Sequence, residues 1–501
     1  MAIEKTVTEF KEYLGRIKMY NEAMAILNFD GETIAPVGSI SSRAKRAGFF
    51  SLEIFNMTIS DEMKNYLEEL APHVDTFDDI LKGEYRVAKK SYDDGTKVPA
   101  EIVREMSELQ AEAAAIWGQA RGENDFDKFA PYLKRLIELQ KKIIEHRSNG
   151  EQPYDILLDD YEEGMNMEVY DEFFGKLKET VVPLLKKIRE SNKKIDMSFV
   201  NTPVDLELQK AICKSIAEKI GYNLDRGYIA ESTHPFCNGS NKYDVRITMR
   251  YVEDDFLSAL YSVMHECGHA IYEQNVADEI THIIIGGGAS MGIHESQSRF
   301  YENILGRGIA FWEAMYDELL EQFPEELQNI TAHQFYEAVN EVKSSLIRVE
   351  SDELTYNLHI IIRYEIERML FTEDVDISDL PDIWNKKYEE YLGITPPTNT
   401  EGVLQDIHWS FGAFGYFPTY ALGSAYGAQI TAYMKKDLDL DALVKAKDFD
   451  AIKNWLTEKI HQYGKIYTPN QLMEKSFGEK FNVGYYVDYL TEKYSKLYEL
   501  T

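Results

Sequence analysis

The chain has 501 residues, 44% of them hydrophobic, with 33 Tyr and 24 Phe, enough to bury a large core and incompatible with general disorder. Its 86 acidic residues outnumber 54 Lys plus Arg, giving a formal net charge of -32, and no basic run interrupts that excess. Such a field repels nucleic acid and anionic lipid, so neither is expected as a partner.

The N-terminus, MAIEKTVTEFKEYLGRIKMY, is charged from residue 4 onward and lacks the apolar stretch of a signal peptide. Residues 5–28 set Phe10, Leu14, Ile17, Tyr20, Met24 and Leu27 on one stripe, which predicts an amphipathic helix. Residues 99–148, 170–194 and 307–345 predict further long helices on the same ground. Breakers at Pro36–Gly38, Asn149–Pro153, Asn201–Pro203, Gly286–Gly288 and Thr395–Gly402 separate these segments, and none has the composition of a flexible linker. The period changes at Asp244–Tyr251, where Val245, Ile247, Met249 and Tyr251 alternate with Asp244, Arg246, Thr248 and Arg250, as in a half-buried strand. The expected fold class is therefore mainly α with a small β-sheet next to the helix that follows. Phe411–Met434 is the longest uncharged stretch, but Gly412, Gly415, Pro418, Gly423, Gly427 and four tyrosines interrupt it, so no membrane span is expected. Three cysteines, Cys213, Cys237 and Cys267, are too few for a disulfide framework and suit a reducing, cytoplasmic setting.

The helix after the strand, Asp254–Gln274, opens on Asp254 and Asp255, where a cap and first-turn acids are favoured. Within it stands His265-Glu266-Cys267-Gly268-His269. On a helix, side chains at i and i+4 leave one face about 6 Å apart, so both imidazoles reach one zinc ion. Glu266 lies beside them, placed to act as general base toward a water molecule. The plainer alternative is two imidazoles in ordinary polar contacts. A catalytic zinc takes three protein ligands and keeps one position open. Glu295, 26 residues after His269 on the helical stretch His294–Gly306, gives the arrangement of a gluzincin. Glu273, Glu279, His282, His294 and Glu302 compete for that place, with Glu273 expected to face solvent or to brace a ligand. The triple glycine Gly286–Gly288 is no dinucleotide fingerprint and reads as a loop between helices.

Six ordered blocks now accumulate: His234-Pro235-Phe236, Asp244–Thr248, His265–His269, His294-Glu295-Ser296-Gln297, Ile347–Asp352 (IRVESD) and Gly402–Trp409 (GVLQDIHW). With Asp30–Pro36 and Pro153–Met165, they make the chain resemble, over nearly its whole length, the metallocarboxypeptidases of the thermostable bacterial carboxypeptidase type, peptidase family M32. Two departures are Phe29, where the family usually carries Trp, and Ser351, where it usually carries Ala.

The resemblance implies a gluzincin-like helical cleft in a single domain of residues 1–501, with about residues 1–95 as an N-terminal helical segment over its opening. A homodimer is implied as well. It further implies His265, His269 and Glu295 as ligands of Zn2+ or Co2+, and Glu266 as the catalytic base. Arg348 would hold the substrate's free C-terminal carboxylate, and His408 and Tyr420 would donate near the oxyanion. Asp244–Thr248 would be the edge strand along which the peptide lies. A planar guanidinium suits a carboxylate, and a chain this acidic needs a fixed cation to keep an anionic terminus in place. The competing reading of Arg348 is a salt bridge to Glu350 or Asp352; of His408 and Tyr420, packing in an aromatic-rich segment; of Arg246, a structural role. The implied activity is release of single C-terminal residues from peptides. Its alternatives are an oligopeptidase cutting internal bonds and a peptide-binding protein with a retained metal site, against which the intact Glu266 speaks. A purely structural zinc conflicts with three ligands and no cysteine cluster.

Overall fold

The computed structural model describes residues 2–500. In chain order, α1 (Ala2–Thr33), α2 (Ile40–Thr58), α3 (Asp61–Leu70), α4 (Asp79–Lys97), α5 (Ala100–Glu123), α6 (Phe126–Arg147), α7 (Pro153–Tyr161), α8 (Met167–Glu190) and α9 (Leu206–Lys219) lead to the strands β1 (Gly227–Glu231), β2 (Phe236–Asn241) and β3 (Asp244–Met249). Then come α10 (Phe256–Gln274), α11 (Met291–Arg299) with a π-helical continuation over Phe300–Leu305, α12 (Ile309–Gln322), α13 (Ala332–Val339), α14 (Glu353–Thr372), α15 (Leu380–Leu392) and α16 (Pro418–Asp437). Four shorter helices, α17 (Leu440–Lys445), α18 (Phe449–Lys459), α19 (Pro469–Phe477) and α20 (Gly484–Leu497), complete a mainly α chain. The chain groups into two compact units: residues up to 96, 196–339 and 430–481 form the first, and 97–195, 340–429 and those from 482 on the second.

In the first unit, Phe10, Tyr13, Leu14 and Ile17 of α1 are buried against Met63, Leu67 and Leu70 of α3 and Leu81 and Ala88 of α4. The later members of the expected stripe, Tyr20, Met24 and Leu27, are only half-buried. The single helix expected over 99–148 is two, because Asn124 turns left-handed (φ 57°) and the Asp125 side chain caps α6 by accepting from Lys128 N–H. Both helices keep one apolar face toward each other, so the period runs on through the reversal. The helix expected over 307–345 likewise splits into α12 and α13, with Asn329 at φ 67° between them. The helix expected over 170–194 is α8, which starts at Met167 behind the cap Asn166 and ends at Glu190, so 191–194 lie beyond it.

The sheet has the order β1-β3-β2, with β1 parallel and β2 antiparallel to β3. The alternating segment is thus a strand, but it is the central one; both its edges are paired, which corrects the expectation that Asp244–Thr248 lies open for a peptide. Thr248, on the face read as polar, is buried, and its hydroxyl accepts from Phe236 N–H (3.0 Å) and the Ser232 hydroxyl (2.6 Å). Arg246 pairs with Asp244 at 2.6 and 2.7 Å and lies 5.2 Å from the ring centroid of Phe29, which itself meets Phe236 edge-on. Arg246 therefore holds local structure.

No helix among the described residues is long and apolar enough to cross a membrane. Cys213, Cys237 and Cys267 are all free thiols.

Candidate metal centre

Helix α10 starts where the Asp255 carboxylate accepts from Ser258 N–H. Phe256, Leu260, Val263, Met264, Cys267 and Ile271 are all buried, so apolar burial fixes the rotation of the helix about its axis. That rotation leaves His265 and His269 on one face with ring centroids 5.0 Å apart. Between them, Gly268 is required by packing: a Cβ there would lie 2.5 Å from the Gln297 carbonyl oxygen and 2.6 Å from Ser298 Cα. The close approach of α10 and α11 brings Glu295 to the pair. Its Oε2 lies 3.7 Å from His265 Nε2 and 3.5 Å from His269 Nε2, and ligand atoms of all three residues fall within 4.8 Å of one another. Two imidazole nitrogens and a carboxylate oxygen converging so closely fit one divalent cation. Among the five competitors, Glu279 and His282 are exposed and outside the cluster.

The other three competitors stand behind these side chains, Glu302 and His294 in direct contact and Glu273 through His294. Glu302, carried by the π-helical turn, meets His265 Nδ1 at 2.8 Å, and Arg299 (3.3 Å) and Arg307 (3.6 Å) hold Glu302 in turn. Glu295 accepts from Arg299 Nε at 2.7 Å and from the Ser298 hydroxyl at 3.0 Å. His269 Nδ1 faces His294 Nδ1 at 2.6 Å, and His294 Nε2 reaches Glu273 Oε1 at 2.8 Å. Burial pushes the Glu266 carboxyl up to about 7. Burial also opposes a charged imidazole at His265, yet the Glu295 and Glu302 carboxylates outweigh it and raise that group to about 9. Burial lowers His269 to about 4. At Glu302, the neighbouring Arg299 and His265 overcome burial and hold the carboxyl down at about 2. This corner of the protein attracts positive charge.

The second unit gathers the remaining predicted residues into another buried cluster. Arg348 pairs with neither Glu350 nor Asp352; the latter caps α14 by accepting from Leu354 and Thr355 N–H, both at 3.0 Å. Its partner is Asp406, whose Oδ1 accepts from Arg348 Nε (3.0 Å) and Nη2 (2.9 Å). The other oxygen of Asp406 accepts from Arg363 Nε (2.8 Å) and Nη2 (2.6 Å). Burial works to raise the Asp406 carboxyl, but the two guanidiniums hold it well below the usual range. Arg348 Nη1 donates to the Tyr356 hydroxyl (3.1 Å), and its guanidinium lies 5.1 Å from the Tyr420 ring centroid. The Tyr420 hydroxyl is 3.3 Å from His408 Nε2. Burial lowers His408 to about 4, leaving a neutral imidazole packed on Phe417 with ring centroids 4.3 Å apart. Ser351, one of the two family departures, donates its hydroxyl to the Arg348 carbonyl (2.6 Å). Arg363 escaped the sequence reading, although a lone arginine between Ile360-Ile361-Ile362 and Tyr364 in an apolar helix was the available signal.

Residues 9–494 match the carboxypeptidase Taq (M32) metallopeptidase family. The chain is 45% identical to carboxypeptidase 1 of Bacillus subtilis (strain 168) over the full length of both. It is 37% identical to thermostable carboxypeptidase 1 of Pyrococcus furiosus, covering 98% of each chain. The solved structure of the M32 carboxypeptidase from Deinococcus radiodurans R1 superposes with a TM-score of 0.95 at 33% identity, over 99% of this chain and 100% of that one.

Proposed function

The chain belongs to the carboxypeptidase Taq (M32) metallopeptidase family and is a metal-dependent carboxypeptidase; from that premise we propose that His265, His269 and Glu295 hold its metal, Zn2+ or Co2+, and that Glu266 is its catalytic base. The observation that carries the assignment is the convergence of two imidazole Nε2 atoms and one carboxylate oxygen, with both Nδ1 atoms tied behind them. A metal held there supplies Lewis acidity toward a carbonyl group and a water molecule.

The chain's own residues do the rest. Glu266 takes a proton from the attacking water as its oxygen adds to the last peptide carbonyl, and delivers it to the amine nitrogen as the C–N bond breaks. A carboxyl brought near neutrality by burial is suited to both transfers. Arg348 receives the C-terminal carboxylate, so that only the terminal bond is cut. The charge balance supports this role: Arg348 and Arg363 share one carboxylate, Asp406, which leaves a buried positive charge to be met by an anion. Tyr420 and His408 are assigned as donors to the oxyanion. Peptides with a free C-terminus are the substrates. The free thiols suit a reducing cytoplasm, and the family resemblance supports a homodimer.

The assignment of the base is tested by Glu266→Gln. The variant keeps its metal, measured by elemental analysis, and loses turnover; a wild-type rate with bound metal removes Glu266 from the mechanism.

A further inference from the structure

The two histidine ligands are supported in different ways. His265 leans directly on a carboxylate, Glu302, whereas His269 leans on a second imidazole that itself leans on a carboxylate. Two Nδ1 atoms 2.6 Å apart demand that one carry a proton and the other a lone pair. A histidine that binds metal through Nε2 has its proton on Nδ1, so His269 donates and His294 Nδ1 accepts. The proton of His294 then sits on Nε2 and is donated to Glu273 Oε1 at 2.8 Å. The opposite assignment would set the bare His294 Nε2 against a carboxylate oxygen. The chain of hydrogen bonds therefore has one consistent direction.

The far end of this chain is fixed by the glycine loop. Gly288 N–H donates to the same Glu273 oxygen at 2.9 Å. A Cβ at Gly288 would overlap the His294 ring and lie 3.0 Å from Tyr272 Cε1. Tyr272 lies tilted beside His294, with ring centroids 5.2 Å apart, and its hydroxyl accepts from Ala289 N–H at 2.9 Å. The triple glycine thus has a position to fill in the support of the metal site.

We propose that His294 and Glu273 are positioning residues for His269, forming a two-step relay that fixes its tautomer and conveys the charge of a remote carboxylate to the ligand nitrogen, with Gly288 making room for it. The relay rests on the metal reading given above. Partners one step behind a ligand typically change metal affinity 10–100-fold when removed; here the same consequence falls on a carboxylate two steps behind.

The test is the Zn2+ dissociation constant of the full chain, by competition with a chromophoric chelator, for wild type, Glu273→Gln, Glu273→Leu, Gly288→Ala and Glu302→Leu. Thermal melts of the apo proteins confirm folding at the assay temperature. Glu273→Leu weakens binding by about 10–100-fold. Glu273→Gln, which keeps an acceptor but not the charge, falls between it and wild type, and Gly288→Ala loses affinity with Glu273 intact. If Glu273→Leu does not fold, the glutamine and alanine variants decide by the same criterion. Affinities within about threefold of wild type in the Glu273 and Gly288 variants, alongside a loss of tenfold or more in Glu302→Leu, overturn the relay and leave the metal site standing. Unchanged affinity in every variant, Glu302→Leu included, overturns both.

Discussion

Around His265 and His269 stand four carboxyls, Glu266, Glu273, Glu295 and Glu302, of which Glu295 and Glu302 pair with the guanidiniums of Arg299 and Arg307, whereas around Arg348 and Arg363 the ion pairs supply Asp406 alone. With the imidazoles neutral, as metal binding requires, carboxylates outnumber guanidiniums three to two in the ion pairs of the first cluster, and guanidiniums outnumber carboxylates two to one in those of the second. Each is buried, where an unmatched charge costs several kcal/mol. The carboxylates of the acidic cluster draw His265 up to about 9 against its burial, while burial lowers both His269 in that cluster and His408 beside the guanidiniums to about 4. A ligand of opposite sign would resolve a buried imbalance of this kind, which supports the proposed metal at the first cluster and the proposed substrate carboxylate at the second.

The largest expected effect comes from Glu266, the one carboxyl of the acidic cluster assigned to proton transfer instead of charge balance. Glu266→Gln lowers kcat by about 10²–10⁴-fold, while elemental analysis shows unchanged metal; loss of metal along with activity would return Glu266 to the charge balance. Next is Asp406→Asn, which leaves two buried guanidiniums with no counter-charge and destabilises the fold by about 3–5 kcal/mol. A melting temperature equal to wild type would mean that the excess of positive charge is not real. Arg348→Ala removes that excess directly. It lowers kcat/KM on free-acid peptides by about 10²-fold, in line with the few kcal/mol typical of a truncated buried ion pair, and has far less effect on C-terminal amides. Equal losses on both substrates would take the carboxylate out of the second cluster.

The smallest effect is a control. Glu84, on α4 between Leu81 and Ala88, is fully buried with no hydrogen-bond partner at either carboxyl oxygen, and burial pushes it up to about 7. A carboxyl raised in the folded state adds stability that is complete below the unfolded value, near 4.5, and is lost as pH rises through about 7. Glu84→Gln therefore stabilises the fold more at pH 8 than at pH 5, by on the order of 1–3 kcal/mol at the higher pH in chemical denaturation, with activity unchanged. A gain independent of pH would show that the Glu84 carboxyl titrates alike in the folded and unfolded chain.

The parts of the site legible in the sequence are those fixed by local geometry. Positions i and i+4 place His265 and His269 on one face in any α-helix, but the close approach of α11 that requires Gly268 between them shows only in the structure. The choice of Glu295 over Glu273, Glu279, His282, His294 and Glu302 depends on how α11 crosses α10, and spacing along the chain leaves that open. For Arg348 the sequence offered Glu350 and Asp352 because they are near, but Asp352 is taken up in capping α14 and the true partner stands 58 residues away. Period-2 alternation identified β3, yet its place in the sheet comes from pairing with β1 and β2, so its central position could not be read from the segment itself. Helical periods found α1 and α8 but ran through the turns at Asn124 and Asn329, where a left-handed residue reverses the chain without disturbing the apolar pattern.

The most direct test is mass spectrometry of one short peptide, as free acid and as C-terminal amide, digested with and without a chelator. A metal-dependent enzyme that recognises a free C-terminus shortens the acid one residue at a time, stops when the chelator is added, and spares the amide. Internal cleavage of both peptides, or shortening that the chelator leaves unaffected, would contradict the assignment.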